Sequence, residues 1–287
     1  MLFISSDSTA DLNELFAKRG VKTLPLAVVL GSESFEDGVT VNPDDIYAFV
    51  DQNKVLPKTA ARSIEEHKEF FQSILQNPDD VLIHFTISGE ISVTATNAKA
   101  AAETFNGKVL VVDGKSLSTG TGLLVMYACD LRDSGKYTAQ EIFDKVCARI
   151  PAVQASFFVE TMEYLHKGGR CSGLASFVAT ALKLKPSLLL KEGKILVGKK
   201  YRGKSIAIAD QYVDNIFEMF PSPDLTRIFI TFTKGTSPDV IAKIRARVES
   251  KYKFAEIYET TASSTITCHC GKGTIGILYI NDGGKNE

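Results

Sequence analysis

VLIHFTISGEISVTATNAKAAAE, residues Val81–Glu103, is the stretch around which the rest of the chain can be read. Val81 to Phe85 is a short, mostly apolar run with the pattern of a buried strand. From Thr86 the composition changes to hydroxyls and a glycine (Thr86, Ser88, Gly89, Ser92, Thr94), and Ala95 to Glu103 is an alanine-rich helix former. Strand, hydroxyl-rich loop and helix start is how α/β proteins build an anion site. The helix's first amides are unpaired, its dipole favours negative charge there, and Ser92 or Thr94 can add hydroxyl donors. Ser92 also reads as a plain N-cap, a role serine often fills, and a cap can still face a ligand.

The same alternation extends to both sides. Leu2 to Ser5 reads as a strand followed by a polar loop through Thr9, and Asp11 to Arg19 as a helix. Val21 to Leu30 is an apolar strand segment interrupted by Pro25, and Gly31 to Gly38 a turn or hairpin. Asn42 caps a helix with Pro43 at its first position, Pro57 to Ser63 is a loop, and Ser63 opens a further helix with a capping-box spacing. Lys108 to Asp113 is a strong buried strand, Ser116 to Asp130 a loop and helix, and Thr138 to Ile150 a helix. This β-α-β-α order implies a largely parallel sheet with helices on both faces. Ligands of such sheets sit beyond the carboxyl ends of the strands. The hydroxyl-rich loops after Ser5, Phe85 and Asp113 all follow strand ends, so they can converge on one site. A boundary near Pro151 to Ser156 gives two α/β domains, residues 1–154 and 155–287. The second half reads as a strand at Ala155–Val159, a helix at Ser172–Leu182, and strand character at Leu184–Leu190, Lys194–Val197 and Ile206–Ile208. A helix at Asp210–Phe220, a strand at Thr226–Thr233, a basic helix at Ser237–Lys251 and strands at Ala255–Glu259 and Thr274–Ile280 complete it.

The 287 residues, 44% hydrophobic and 23% charged, describe a soluble globular protein able to bury a core. A net charge of −1 makes no electrostatic case for nucleic acid. The five cysteines include Cys268-His269-Cys270, too tight for a structural zinc site and without a second ligand pair. Reduced thiols in a cytoplasm are the simpler account. The start MLFISSDSTADL lacks a secretory pattern, and no apolar run approaches the ~20 residues that span a bilayer. No metal and no cofactor is expected.

No self-contained catalytic set emerges: there is no P-loop lysine, no GxGxxG after a strand and no HExxH. Thr119-Gly120-Thr121-Gly122 is only weakly like a phosphate loop. His67, on a polar helix, is expected to be solvated, His84 to be a satisfied core histidine and His166 to be exposed. His269, in a Thr-rich, Cys-flanked loop before Gly271-Lys272-Gly273, can donate a hydrogen bond to an anion, or serve none. Gly168-Gly169-Arg170 reads as a turn, in a segment dense in basic side chains from Lys167 to Lys204. That density suits a phosphate-bearing or acidic partner, or is a solvated face.

Several of these pieces together resemble the DegV family of bacterial fatty-acid-binding proteins, over essentially the whole chain. The match is strongest over Phe157–Lys204, with its Gly168-Gly169-Arg170 and Lys185-Pro186 elements. Ser6-Asp7-Ser8-Thr9-Ala10-Asp11-Leu12 resembles the family's opening, and Val111-Val112-Asp113 with Ser116–Gly122 its VDS…SxGxG segment, Gly114 replacing the serine. The resemblance implies a two-domain α/β fold clasping one long-chain fatty acid, tail buried and carboxylate at the opening. It implies Thr59, Ser92 and His269 as carboxylate ligands, from the TSQPS, LSGT and HxGPG loops, and Arg170 on a kinase-docking surface. Three departures flank these residues: Ala60-Ala61-Arg62 for SQP, Val93 for glycine and Lys272 for proline. Val93 would narrow the tunnel, while Arg62 and Lys272 would add positive charge near its mouth.

The expected function follows from that resemblance. The chain is a non-catalytic, cytoplasmic, monomeric carrier that presents its fatty acid to a separate ATP-dependent fatty acid kinase, giving an acyl-phosphate for phospholipid synthesis. The alternatives are an enzyme related to dihydroxyacetone kinase substrate subunits, with His269 acting on a small carbonyl compound, and a lipid-sensing interaction protein.

Overall fold

The computed structural model describes residues 1–170 and 184–284. The first half runs β1 (Leu2–Asp7), α1 (Asn13–Lys18), β2 (Lys22–Leu24), β3 (Ala27–Leu30), β4 (Glu33–Glu36), α2 (Pro43–Asn53), β5 (Lys58–Ala60), α3 (Ile64–Ile74), β6 (Val81–Thr86), α4 (Thr94–Ala102), β7 (Val109–Asp113), α5 (Thr119–Asp133) and α6 (Ala139–Arg149). The second runs β8 (Val153–Phe158), α7 (Glu163–Gly168), β9 (Leu184–Lys191), β10 (Lys194–Arg202), α8 (Ser205–Met219), β11 (Arg227–Phe232), α9 (Pro238–Lys251), β12 (Glu256–Thr261), α10 (Ser264–Cys270) and β13 (Ile275–Ile280). The helix expected at Ser172–Leu182 lies outside the described residues.

The expected parallel sheet is present, in the order β2-β1-β6-β7, with every pairing parallel. Its middle strands are apolar because helices cover both faces; Leu82, Ile83 and Phe85 of β6 are fully buried. Pro25 divides the apolar segment 21–30 between two sheets: β2 joins the parallel sheet, while β3 pairs with β4 and β5 in a small antiparallel one. The segment 57–63, expected as loop, thus supplies an edge strand. The second half forms a six-stranded sheet, β10-β9-β8-β13-β11-β12, antiparallel except for β11–β12. Ile206 to Ile208, expected as a strand, begins α8, whose buried Ile208, Tyr212, Ile216 and Phe217 recur at helical spacing.

Helix α5 lies between the two large sheets. From Thr119 to Cys129 every residue is buried, which leaves the helix no polar face over that length. Its core cluster joins Ile4, Ile83, Phe85 and Val112 of the parallel sheet to Ala155, Phe229 and Leu278 of the other. The Thr-Gly-Thr-Gly run is a packing surface: a β-carbon at Gly120 would lie 2.2 Å from Ser116 Oγ and 3.2 Å from Ala155 Cβ.

Candidate functional site

At the carboxyl end of the parallel sheet a cavity of about 450 Å³ opens between the two halves. Thr59, Ser92, Arg170 and His269, which sequence reasoning selected from four separate segments, all line it. Most of the remaining wall is apolar, including Leu26, Ile87, Leu117, Leu165, Ile195 and Ile266. A smaller apolar recess shares Leu117, Ile266 and Cys270 with it and continues toward Phe157, Phe232 and Leu278.

Ser92 precedes α4. The N-cap position belongs to Val93, whose side chain makes no cap, and Ser92 Oγ accepts from the Thr94 amide at 3.3 Å while pairing with Thr94 Oγ1 at 2.8 Å. Both readings of Ser92 therefore meet in one hydroxyl, which serves the helix start and faces the cavity. Thr59, on β5, pairs with His269 across 210 residues: Oγ1 and Nε2 are 2.8 Å apart. His269 lies on helix α10 and not on the expected loop. Ser263 caps that helix through the Ile266 amide, and buried carboxylates of Asp11 and Asp37 hold the Ser263 and Ser264 amides. Burial, helped by the positive charge of Arg170, holds the His269 imidazole down to a pKa of about 4, so it is neutral at ordinary pH. Its Nδ1 has no hydrogen-bond partner among the described residues and faces Gly168, where any β-carbon would come within 2.7 Å. Gly169 follows in the left-handed region (φ 67°) as the cap of α7 and turns the chain toward Arg170.

The neutral ring carries one proton, and because Nδ1 meets no acceptor among the described residues we place that proton on Nε2. With its proton on Nε2, His269 donates to Thr59 Oγ1, and the Thr59 proton is free for an acceptor in the cavity. An anion placed there meets the hydroxyls of Thr59 and Ser92 and the only charged guanidinium among the described lining residues, that of Arg170.

The family model described as "Uncharacterised protein, DegV family" matches residues 1–282. The chain belongs to the DegV family. A DegV domain-containing protein of Deinococcus radiodurans is 30% identical over 277 residues, 96% of each chain. A protein of Thermotoga maritima named fatty acid-binding protein is 26% identical over 94% of each chain. The solved structure described as fatty acid binding of a DegV family protein from Thermus thermophilus superposes with a TM-score of 0.87 at 29% identity, covering 98% of this chain and 99% of that one.

Of the three departures from the DegV motifs, Arg62 and Val93 fall out differently from expectation. Arg62 does not add free charge at the mouth: its guanidinium donates to Pro25 O, Glu36 and Glu66. Lys272 lies over the Tyr47 ring, 5.6 Å from its centroid. Val93 is 62% exposed, so it forms rim and does not constrict the interior. Of the remaining histidines, His84 is fully buried and pairs with Ser5 Oγ at 2.8 Å. His67, expected in solvent, is fully buried against Phe71 and His84. Sequence reasoning missed Asp7, Asp11 and Asp37; the dense Asp/Ser/Thr run at residues 5–11 was the only signal for the first two, and Asp37, in the turn at Gly31–Gly38, had none.

Proposed function

We propose that this DegV protein binds a long-chain fatty acid in the cavity, carboxylate at Thr59, Ser92 and His269, and presents it to a separate fatty acid kinase instead of acting on it. The observation that carries the reading is the meeting of these polar side chains with a largely apolar wall around one cavity of about 450 Å³. The names of the Thermotoga and Thermus relatives, both fatty acid binders, support the ligand class. Each methylene buried contributes ~0.8 kcal/mol, so the tail supplies most of the affinity and the polar groups orient the head. A carboxylate accepting from two hydroxyls near an arginine stays ionised, as a phosphoryl acceptor must. Arg170, exposed at the edge of the cavity, is the side chain we assign to kinase docking. In this reading residues 1–154 and 155–287 are two domains of one monomer, and the acyl-phosphate product feeds phospholipid synthesis.

Native mass spectrometry of the purified protein, followed by organic extraction, tests the ligand. A stoichiometric fatty acid, native or acquired from a panel of saturated and unsaturated acids, is expected. No adduct under either condition would refute it. For the kinase step, Ser92→Ala is expected to lower phosphorylation of bound fatty acid more than it lowers tail binding; equal phosphorylation of variant and wild type removes the presenting role.

A further inference from the structure

We infer that Asp7, Asp11 and Asp37 are positioning residues of the ligand site, a buried bracket that sets the Ser92 loop and the His269 helix without touching the ligand. None of the three is among the described residues lining the cavity, and none is more than 6% exposed. Each instead anchors a segment that does line it. Asp7 Oδ2 accepts from the Ile87 amide at 2.8 Å, at the start of the loop that runs to Ser92, while Oδ1 takes the Thr9 amide and hydroxyl. Asp11 Oδ1 accepts from the Ser263 amide at 2.9 Å and Oδ2 from Ser118 Oγ at 2.5 Å, beside the lining residue Leu117. Asp37 Oδ1 accepts from the Ser264 amide at 2.8 Å and Oδ2 from Ser8 Oγ at 2.8 Å. Ser8 Oγ in turn accepts from the amide of Leu26, another lining residue, at 3.1 Å.

No lysine or arginine among the described residues forms an ion pair with any of the three; backbone amides and hydroxyls meet their charge. Unpaired buried carboxylates are costly, and apolar side chains would serve a purely structural joint better. What a carboxylate adds is a directed acceptor of fixed reach. Here those acceptors tie helix α10 to residues 227 and 252 positions away in sequence. The bracket thereby fixes the distance from His269 to Thr59 and from the Ser92 loop to both. It places the head-group end of the cavity through the Ser92 loop and helix α10, and meets the apolar wall at Ile87, Leu26 and, through Ser118, beside Leu117.

The inference rests on the fatty-acid reading for its choice of ligands. The test measures palmitic acid and hexadecan-1-ol binding to wild type, Asp37→Ala and Asp11→Ala, with Asp37→Glu as the variant that keeps charge and acceptor but moves them by one methylene. The acid is expected to bind about tenfold more weakly to each variant, the alcohol within about twofold of wild type. Asp37→Asn, which retains an oxygen for the Ser264 amide, is expected to recover most of the acid affinity. Equal losses for acid and alcohol, or undiminished acid binding, overturn the bracket. A ligand-free readout keeps it separate from the fatty-acid reading. The His269 Nε2–H proton, slowed in exchange by its bond to Thr59, is expected in the NMR spectrum of wild type and lost in Asp37→Glu; its persistence there overturns the bracket. Wild type that binds neither lipid would refute the fatty-acid reading alone, and the imidazole proton would still decide this one. Should the alanine variants fail to fold, Asp37→Glu carries both readouts.

Discussion

A β-carbon at Gly168 would lie 2.7 Å from His269 Nδ1, so the imidazole keeps its place because this residue has no side chain. Gly168→Ala is therefore expected to push the ring off Thr59 and weaken fatty acid binding by about tenfold, the loss of one well-placed hydrogen bond to an ionised group. Titration calorimetry would show it, and an unchanged affinity would mean the ring has room to shift. Asp11 offers a second test at this scale. Burial raises its pKa to about 7, against an ordinary value near 4. Between those values the native state holds a proton that the unfolded chain has released. This group's contribution to stability is therefore whole below about pH 4 and is lost as pH rises through about 7. Asp11→Asn removes the effect. The stability of wild type relative to Asp11→Asn should fall by on the order of 4 kcal/mol between about pH 4 and about pH 8. Urea denaturation at both pH values measures it, and a pH-independent difference would show that Asp11 titrates normally.

Among the elements, the legible ones carried their own periodicity and the illegible ones did not. Val81–Glu103 announces a strand, a loop and a helix because its apolar run, hydroxyls and alanines each obey a local rule, and the structure differs by single residues, ending β6 at Thr86 and running α4 from Thr94 to Ala102. Helix α10 obeys little beyond its Ser263 cap: STITCHC is short and rich in β-branched residues, and the amides at its start are held by carboxylates supplied from the opposite end of the chain. His67 was misread for the same reason, since its polar neighbours say nothing of the Phe71 and His84 rings that enclose it. The convergence of the site on strand ends was legible from the β-α alternation. That the loop after β1 braces the site from behind, while the loop after β6 lines it, was not. The β9–β10 hairpin is a third such element. Its tip docks through Ser88 Oγ donating to Gly193 O at 2.8 Å, and Lys115 bridges Asp113 and Glu90 beside it. Ile195 of this hairpin is a wall of the cavity. Ser88→Ala leaves a carbonyl without its donor, worth about 1 kcal/mol, and should speed release of bound fatty acid about fivefold. Stopped-flow displacement of a fluorescent fatty acid would record this; an unaltered release rate would mean the hairpin stays docked without that bond.

At the scale of the whole molecule, two halves that read as separate in sequence share one core. Leu124 has no exposed surface and sits on the helix that both large sheets cover. Removing its side chain opens a cavity that neither sheet can fill alone, at a cost of about 2–5 kcal/mol. If the halves were energetically independent, Leu124→Ala would loosen whichever sheet held more of its contacts and spare the other. A shared core requires instead that both lose protection together, because neither sheet can leave α5 without exposing the same apolar face. Native-state hydrogen exchange separates these cases. The slowest amides of β1 and β6 should fall in protection by the same free energy as those of β11 and β13. A drop confined to one sheet would show that α5 belongs to that half alone, and that the ligand site lies on a joint able to open without unfolding. Equal drops would mean that the walls from the two halves, Ser92 on one side and His269 on the other, are held at fixed distance by the stability of the whole fold.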